Sequence, residues 1–132
     1  MALAASCSTG SNTVKYPAPE GEWDIVSAGG STLDTGKADE KPFLGFDKAT
    51  HNLYGSAGCN SITGTFKADT RRHTLNLGSM GTTMMLCADM DTEQRVLESL
   101  GKVTAFAYDS EGNLMLLDGK GSTALQLRRR GK

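Results

Sequence analysis

Val103-Thr104-Ala105-Phe106-Ala107-Tyr108, Asn113-Leu114-Met115-Leu116-Leu117 and Thr123-Ala124-Leu125-Gln126-Leu127-Arg128 decide the architecture of this chain. Each is a short run rich in apolar or aromatic residues. The spacers between them, Asp109-Ser110-Glu111-Gly112 and Asp118-Gly119-Lys120-Gly121, have hairpin-turn composition. Strands joined by turns this tight predict an antiparallel meander.

Upstream of the meander, residues 92–100 carry the one convincing helical pattern. Val96, Leu97 and Leu100 form its apolar stripe, Asp91 with Gln94 three positions on makes an N-terminal cap, and Gly101 is expected to end it in a left-handed conformation. Further back the punctuation is dense. Strands are expected at 22–26, 42–47, 53–57, 61–67 and 74–77, with a further extended piece at 80–86 that ends at Cys87. In 61–67, Ile62, Gly64 and Phe66 share one face and Thr63 and Thr65 the other; in 80–86 the same alternation puts Met84 and Leu86 inside and Met85 opposite. Eight or nine short strands and one helix make an α+β fold, mainly an antiparallel sheet. Glycines inside strands, Gly45, Gly55 and Gly64, permit sharp bending and predict a strongly curved or barrel-like sheet.

Composition bounds the function. The chain has 132 residues, 14 basic against 15 acidic, and a formal net charge of −1, which lacks the clustered positive charge a nucleic-acid binder needs. No apolar run approaches the roughly 18 to 20 residues of a membrane-spanning helix. Residues 8–21 are Ser, Thr, Gly, Asn and Pro with little to bury, so 1–21 reads as a leader remnant and flexible tether, and 22–130 as a single domain.

Trp23, Pro42-Phe43-Leu44-Gly45-Phe46-Asp47, the run from Tyr54 through Gly58-Cys59-Asn60 to Gly64-Thr65-Phe66, and Gly81-Thr82-Thr83-Met84-Met85-Leu86-Cys87 together resemble the META domain family of HslJ-like heat-shock and envelope proteins. The residues carrying the resemblance are Trp23, Phe46, Gly58, Cys59, Asn60, Gly64, Phe66, Met84 and Cys87. Where the family often has a basic residue before its second methionine-type position, this chain has Met84-Met85. The resemblance implies a curved, barrel-like antiparallel sheet with one helix, a disulfide between Cys59 and Cys87, and a place in the bacterial cell envelope. Such a disulfide would restrict the unfolded chain by about 3 to 4 kcal/mol and belongs to an oxidising compartment.

Cys7 follows Leu3-Ala4-Ala5-Ser6, a run that resembles the end of a bacterial lipoprotein signal, and is the candidate lipidation site through which the chain would be held on a membrane. Other chemistry has to be weighed on the residues themselves. Cys59 with His51 or His73 as base describes a thiol-dependent redox enzyme, but no C-x-x-C accompanies it. Zinc on Cys59, Cys87, His51 and His73 has non-standard spacing. Unpaired, reduced cysteines remain a further reading. Gly55-Ser56-Ala57-Gly58 is not a nucleophile elbow, and Asp47, Asp89, Asp91 and Glu93 are spread over too many elements for calcium. Arg128-Arg129-Arg130 reads as a solvated basic end. No catalytic residue, metal or cofactor is assigned. The expected function is a non-enzymatic envelope lipoprotein module that binds a protein or envelope component, as the resemblance implies in stress tolerance. The alternative is a small carrier holding an apolar ligand in the barrel mouth.

Overall fold

Aspartates open the tight turns that set the strand order. Asp47 accepts hydrogen bonds at Oδ1 from the N–H groups of Ala49 and Thr50, Asp69 from Arg71 and Arg72, Asp109 from Glu111 and Asn113, and Asp118 from Lys120 and Ser122. A carboxylate that captures two N–H groups fixes the reversal before the flanking strands pair. Those bonds hold the carboxyls of Asp69, Asp109 and Asp118 below the usual carboxylate range. The turns close on residues with positive φ: Gly112 (86°), Gly121 (84°) and the two histidines, His51 (62°) and His73 (60°).

The computed structural model describes residues 16–34 and 40–130. The strands are β1 (Gly21–Ala28), β2 (Ser31–Thr32), β3 (Phe43–Asp47), β4 (Asn52–Ser56), β5 (Ser61–Asp69) and β6 (Thr74–Thr82), followed by helix α1 (Met90–Leu100) and strands β7 (Ala105–Tyr108), β8 (Leu114–Leu117) and β9 (Thr123–Arg129). Neighbours pair antiparallel in the order β9-β8-β7-β6-β5-β4-β3-β1-β2. β9 also pairs β1, from Leu125↔Ala28 to Arg129↔Trp23, and this second pairing bends the sheet into a ring with the two-residue β2 as an appendage. The join between β6 and β7 is the slightest, a single register pair at Thr74↔Ala105.

The inner face of the ring is filled by Trp23, Leu44, Phe46, Leu53, Ile62, Phe66, Phe106, Leu114, Leu116 and Leu125. The Phe46 and Phe66 rings meet edge to face, centroids 5.1 Å apart. Two of the strand glycines serve close approach, not bending: a Cβ on Gly45 would fall 2.2 Å from the Tyr54 ring, and one on Gly64 would lie 2.7 Å from Met80 Sδ. At Gly45 the ring of its cross-strand partner Tyr54 occupies the space a side chain would have used.

The two ends of the ring differ. The terminal end carries residues 16–20, the turns that follow Asp47, Asp69 and Asp109, and the last residues of β9. Residues 16–21, expected to belong to the tether, pack here instead: the Tyr16 ring lies 4.4 Å from that of His73 and 5.6 Å from that of Tyr108, and Tyr108 Oη donates to Pro17 O. An aromatic residue placed before the prolines has somewhere to bury. The basic end is likewise not wholly solvated. Arg129 lies 4.4 Å above the Trp23 ring, and Arg130 stacks on Phe43 while its Nε donates to Asp24 Oδ1 at 2.9 Å.

The helix end carries the Gly29-Gly30 turn, the 57–60 connection, the 83–89 loop and α1. The helix starts earlier than its pattern suggests, because Asp89, not Asp91, is the N-cap, accepting from Thr92 N–H at 3.1 Å. Gly101 ends it in a right-handed conformation (φ −67°), its N–H bonded to Leu97 O, where a left-handed cap was expected. Val96 and Leu100 enter the core, and α1 packs on β9 and β1. The expected piece 74–77 and the first three residues of the expected piece 80–86 are one strand, β6, with a bulge opposite Gly64 and Ser79 at φ 51°, and residues 83–86 leave it as a loop.

Candidate functional site

At the helix end the chain turns sharply through Gly58, whose φ of 121° no side chain tolerates well, and delivers Cys59 and Asn60 to the start of β5. Cys59 is disulfide-bonded to Cys87, 28 positions on, with Cα atoms 5.9 Å apart, the pairing the family resemblance implied. Asn60, only 4% exposed, ties the same loop from the other side. Its Oδ1 accepts from Met85 N–H at 2.6 Å and from Thr83 Oγ1 at 2.8 Å. Its Nδ2 donates to Met85 O at 3.0 Å and to Glu93 Oε2 at 2.6 Å, and its N–H reaches Glu93 Oε1 at 3.4 Å. One amide thus fastens the 83–87 loop to β5 and both to α1.

Glu93, 2% exposed, is the site member that sequence reasoning missed, since an acidic residue there is already explained by helix N-terminal electrostatics. A buried carboxylate needs a donor for each oxygen, and Asn60 supplies both. The signal available in the sequence was its place one turn into a helix that begins just after Cys87.

Held at both edges, the loop cannot turn its side chains inward. Met84 is 92% exposed and Leu86 93%, the reverse of the inside positions that strand alternation predicted. The alternation fails because residues 83–87 are not in a strand: Asn60 occupies the hydrogen-bonding groups of Met85 on the core side. Beside the loop run two adjoining clefts, each of about 310 Å³. One lies between β6 and α1, lined by Leu77, Met80, Leu97, Leu100 and Val103; the other lies under the loop, lined by Met84, Met85, Leu86 and Met90, with Thr82 and Leu97 shared by both. The helix end therefore presents a continuous apolar surface of thioethers and leucines.

The other candidates fall elsewhere. His51 and His73 are turn residues at the terminal end, His51 following Asp47 and His73 following Asp69, so the structure brings neither to Cys59 or Cys87. Asp47 serves its turn, Asp89 the helix cap and Glu93 the Asn60 amide, so the acidic set considered for calcium is divided among three tasks. Cys7 lies outside the described residues. Of the motif residues, Trp23, Phe46 and Phe66 are buried in the ring and Gly64 makes the close contact with Met80, whereas Gly58, Cys59, Asn60, Met84 and Cys87 build the loop anchor.

A family model for the META domain matches residues 16–131. The chain belongs to the META domain family. Solved structures agree on the fold of this META domain. A DUF4847 family protein from Bacteroides vulgatus, determined by crystallography, is 19% identical with a TM-score of 0.58, covering 86% of this chain and 94% of that one. A protein from Burkholderia xenovorans, solved by NMR, is 19% identical with a TM-score of 0.61 over 93% and 97% of the two chains. A third structure, also solved by NMR, is 17% identical with a TM-score of 0.63 over 83% and 88%. No functionally curated protein matches.

Proposed function

We propose that this META domain is a non-enzymatic binding module of the bacterial cell envelope, held to a membrane by lipid at Cys7 and engaging a protein partner with its helix end. The observation that carries the reading is the pair Met84 and Leu86, almost fully exposed on a loop fixed by a disulfide and by Asn60. Large apolar side chains kept in water by a rigid anchor mark an interaction surface, and methionine adapts to a partner's shape. A structural disulfide fits an oxidising compartment.

The placement of the ends also supports it. Tyr16 packs at His73, beside the start of β6, and the apolar loop leaves from the far end of that nine-residue strand, about 30 Å away. A lipid on Cys7 would hold the terminal end toward the membrane and direct the loop outward. Cys59 and Cys87 are bonded to each other, which leaves the thiol-enzyme reading no free nucleophile at this site. The ring interior is occupied by its own aromatic and leucine side chains, which favours contact over carriage of an apolar ligand there.

A photo-crosslinking residue in place of Met84, compared with one in place of Ser110 at the terminal end, tests the reading in cells that export the chain. Position 84 is expected to give a defined protein adduct that Leu86→Asp abolishes, and position 110 none. Equal adducts at both positions overturn it. Cys7→Ser is expected to move the protein from the membrane to the soluble fraction.

A further inference from the structure

Beyond Leu75, whose N–H donates to Thr104 O, β6 is bonded along one side only. Its register with β5 runs from Thr74↔Asp69 to Thr82↔Ile62, whereas β7 meets it at Thr74 alone. The hydrogen bonds around it show which way its main chain points. Phe66 N–H donates to His51 O, on the β4 side, so the Phe66↔Leu77 pair is a non-bonded one, and the N–H and C=O of Leu77 point away from β5. Thr83 N–H donates to Ser61 O of β5, so the same groups of its neighbour Thr82 also point away. Among the described residues no strand lies beside them.

Across the cleft from this edge stands α1, with Leu97 and Leu100 toward it. A helix bonds its main chain to itself and offers a strand edge nothing but side chains. The cleft is open, so water meets these main-chain groups. An acyl chain entering it would expel that water and replace none of its hydrogen bonds, leaving each of these groups without a partner. A polypeptide strand replaces them all.

We infer that an extended segment of a partner protein, with apolar residues at alternate positions, docks as an added strand on the free edge of β6. This rests on the partner-binding reading and names the form the partner takes there. Its main chain bonds Leu77 and Thr82, about 15 Å apart along the strand, so that about five residues suffice. One face of the segment fills the cleft against Leu77, Met80 and Leu97; the other faces water. The bulge at Ser79 works against a second copy of this chain as occupant, because two bulged edges brought together interrupt each other's ladders.

The probe is a heptapeptide alternating threonine and isoleucine, blocked at both ends, added to the oxidised domain while amide hydrogen exchange is followed by NMR. Exchange at Leu77 and Thr82 is expected to slow at least tenfold. The same peptide N-methylated at alternate amides is expected to have no effect, and Leu97→Lys, at a partly buried position on the cleft wall, to weaken binding at least tenfold while the amide spectrum of the variant stays that of the folded domain. The inference is overturned if the heptapeptide leaves both amides unprotected, if the N-methylated peptide binds equally well, or if dodecanoate but not the peptide occupies the cleft. A shift to dimers on adding no peptide at all, with Leu77 and Thr82 protected, assigns the edge to a second copy and overturns it too. If the crosslink from position 84 persists while the peptide fails, partner binding stands and docking on β6 falls. If the peptide protects both amides while position 84 gives no crosslink, docking on β6 stands and the loop is not the partner's contact.

Discussion

The terminal end and the helix end close the same ring with opposite chemistry. At the terminal end aromatic rings bury one another, Tyr16 on His73 and Tyr108, and a cation covers Trp23. At the helix end a covalent bond and one fully used amide do the holding, and the apolar residues are turned outward. Where hydrophobic surface is buried, it is itself the fastening; where it is to stay exposed, other interactions must hold the chain. That difference is why the disulfide and Asn60 sit beside Met84 and Leu86 and not in the core.

The sharpest way to break the comparison is at the anchor. Asn60→Ala removes the side-chain ties to Thr83, Met85 and Glu93 at once and leaves the buried Glu93 carboxylate only the long bond from the N–H of residue 60, so it is expected to destabilise by about 3 to 4 kcal/mol. Replacing Cys59 and Cys87 together with alanine is expected to cost a similar amount, about 3 to 4 kcal/mol. Denaturant unfolding measures both losses, and hydrogen exchange should rise first in 83–89 and α1 with the terminal end unaffected. Equal loosening at both ends would show that the anchor stabilises the whole ring and not its own end.

Alkaline pH should do the reverse. Burial pushes the Tyr108 phenol up to about 12, against the lowering effect of Arg129. The folded state therefore keeps its proton where the unfolded chain, titrating near 10, has lost it. The contribution is fully present below about pH 10 and is lost as pH rises toward 12, amounting to about 1 to 2 kcal/mol once screening of a half-buried ring is allowed for. Thermal unfolding across that window should show the loss, Tyr108→Phe should remove it, and residues 16–20 should loosen before the 83–89 loop.

Smaller still, His51→Gly is expected to stabilise by about 0.5 kcal/mol, because glycine accepts the positive φ that histidine holds at a cost. Met84→Ser with Leu86→Ser should leave stability within about 0.5 kcal/mol of the parent while abolishing the adduct formed by a photo-crosslinking residue in place of Met85. A large loss of stability from that pair would mean the loop is part of the core, contrary to its exposure.

The sequence made legible whatever rests on short-range chemistry. The meander from Val103 onward is framed by Asp109 and Asp118, whose turn bonds act within four residues. Ile62 and Phe66 share the buried face their spacing predicts. What escaped was long-range. Alternation around Met84 gave the wrong face because a residue 25 positions from Met85, Asn60, takes the hydrogen bonds of that methionine's main chain. Tyr16 looked like part of a tether because its partners His73 and Tyr108 lie far along the chain. Glu93 resembled any acidic residue in a first helical turn until its neighbour across the fold came into view. Sequence periodicity reports where a side chain sits relative to its own strand, not what a distant amide demands of it.

The pairing of β9 with β1 joins the last strand of the ring to its first. Until residues 123–129 have left the ribosome, one edge of β1 is open, and Trp23 lacks the Arg129 cation that covers it. Every shorter nascent chain is an incomplete sheet. Closure across nearly the whole length is a high-separation contact of the kind that sets slow, all-or-none folding, in milliseconds to seconds. The domain thus stays unfolded until residues 123–129 are available to pair with β1, and loss of β9 alone is expected to abolish the native state rather than trim it.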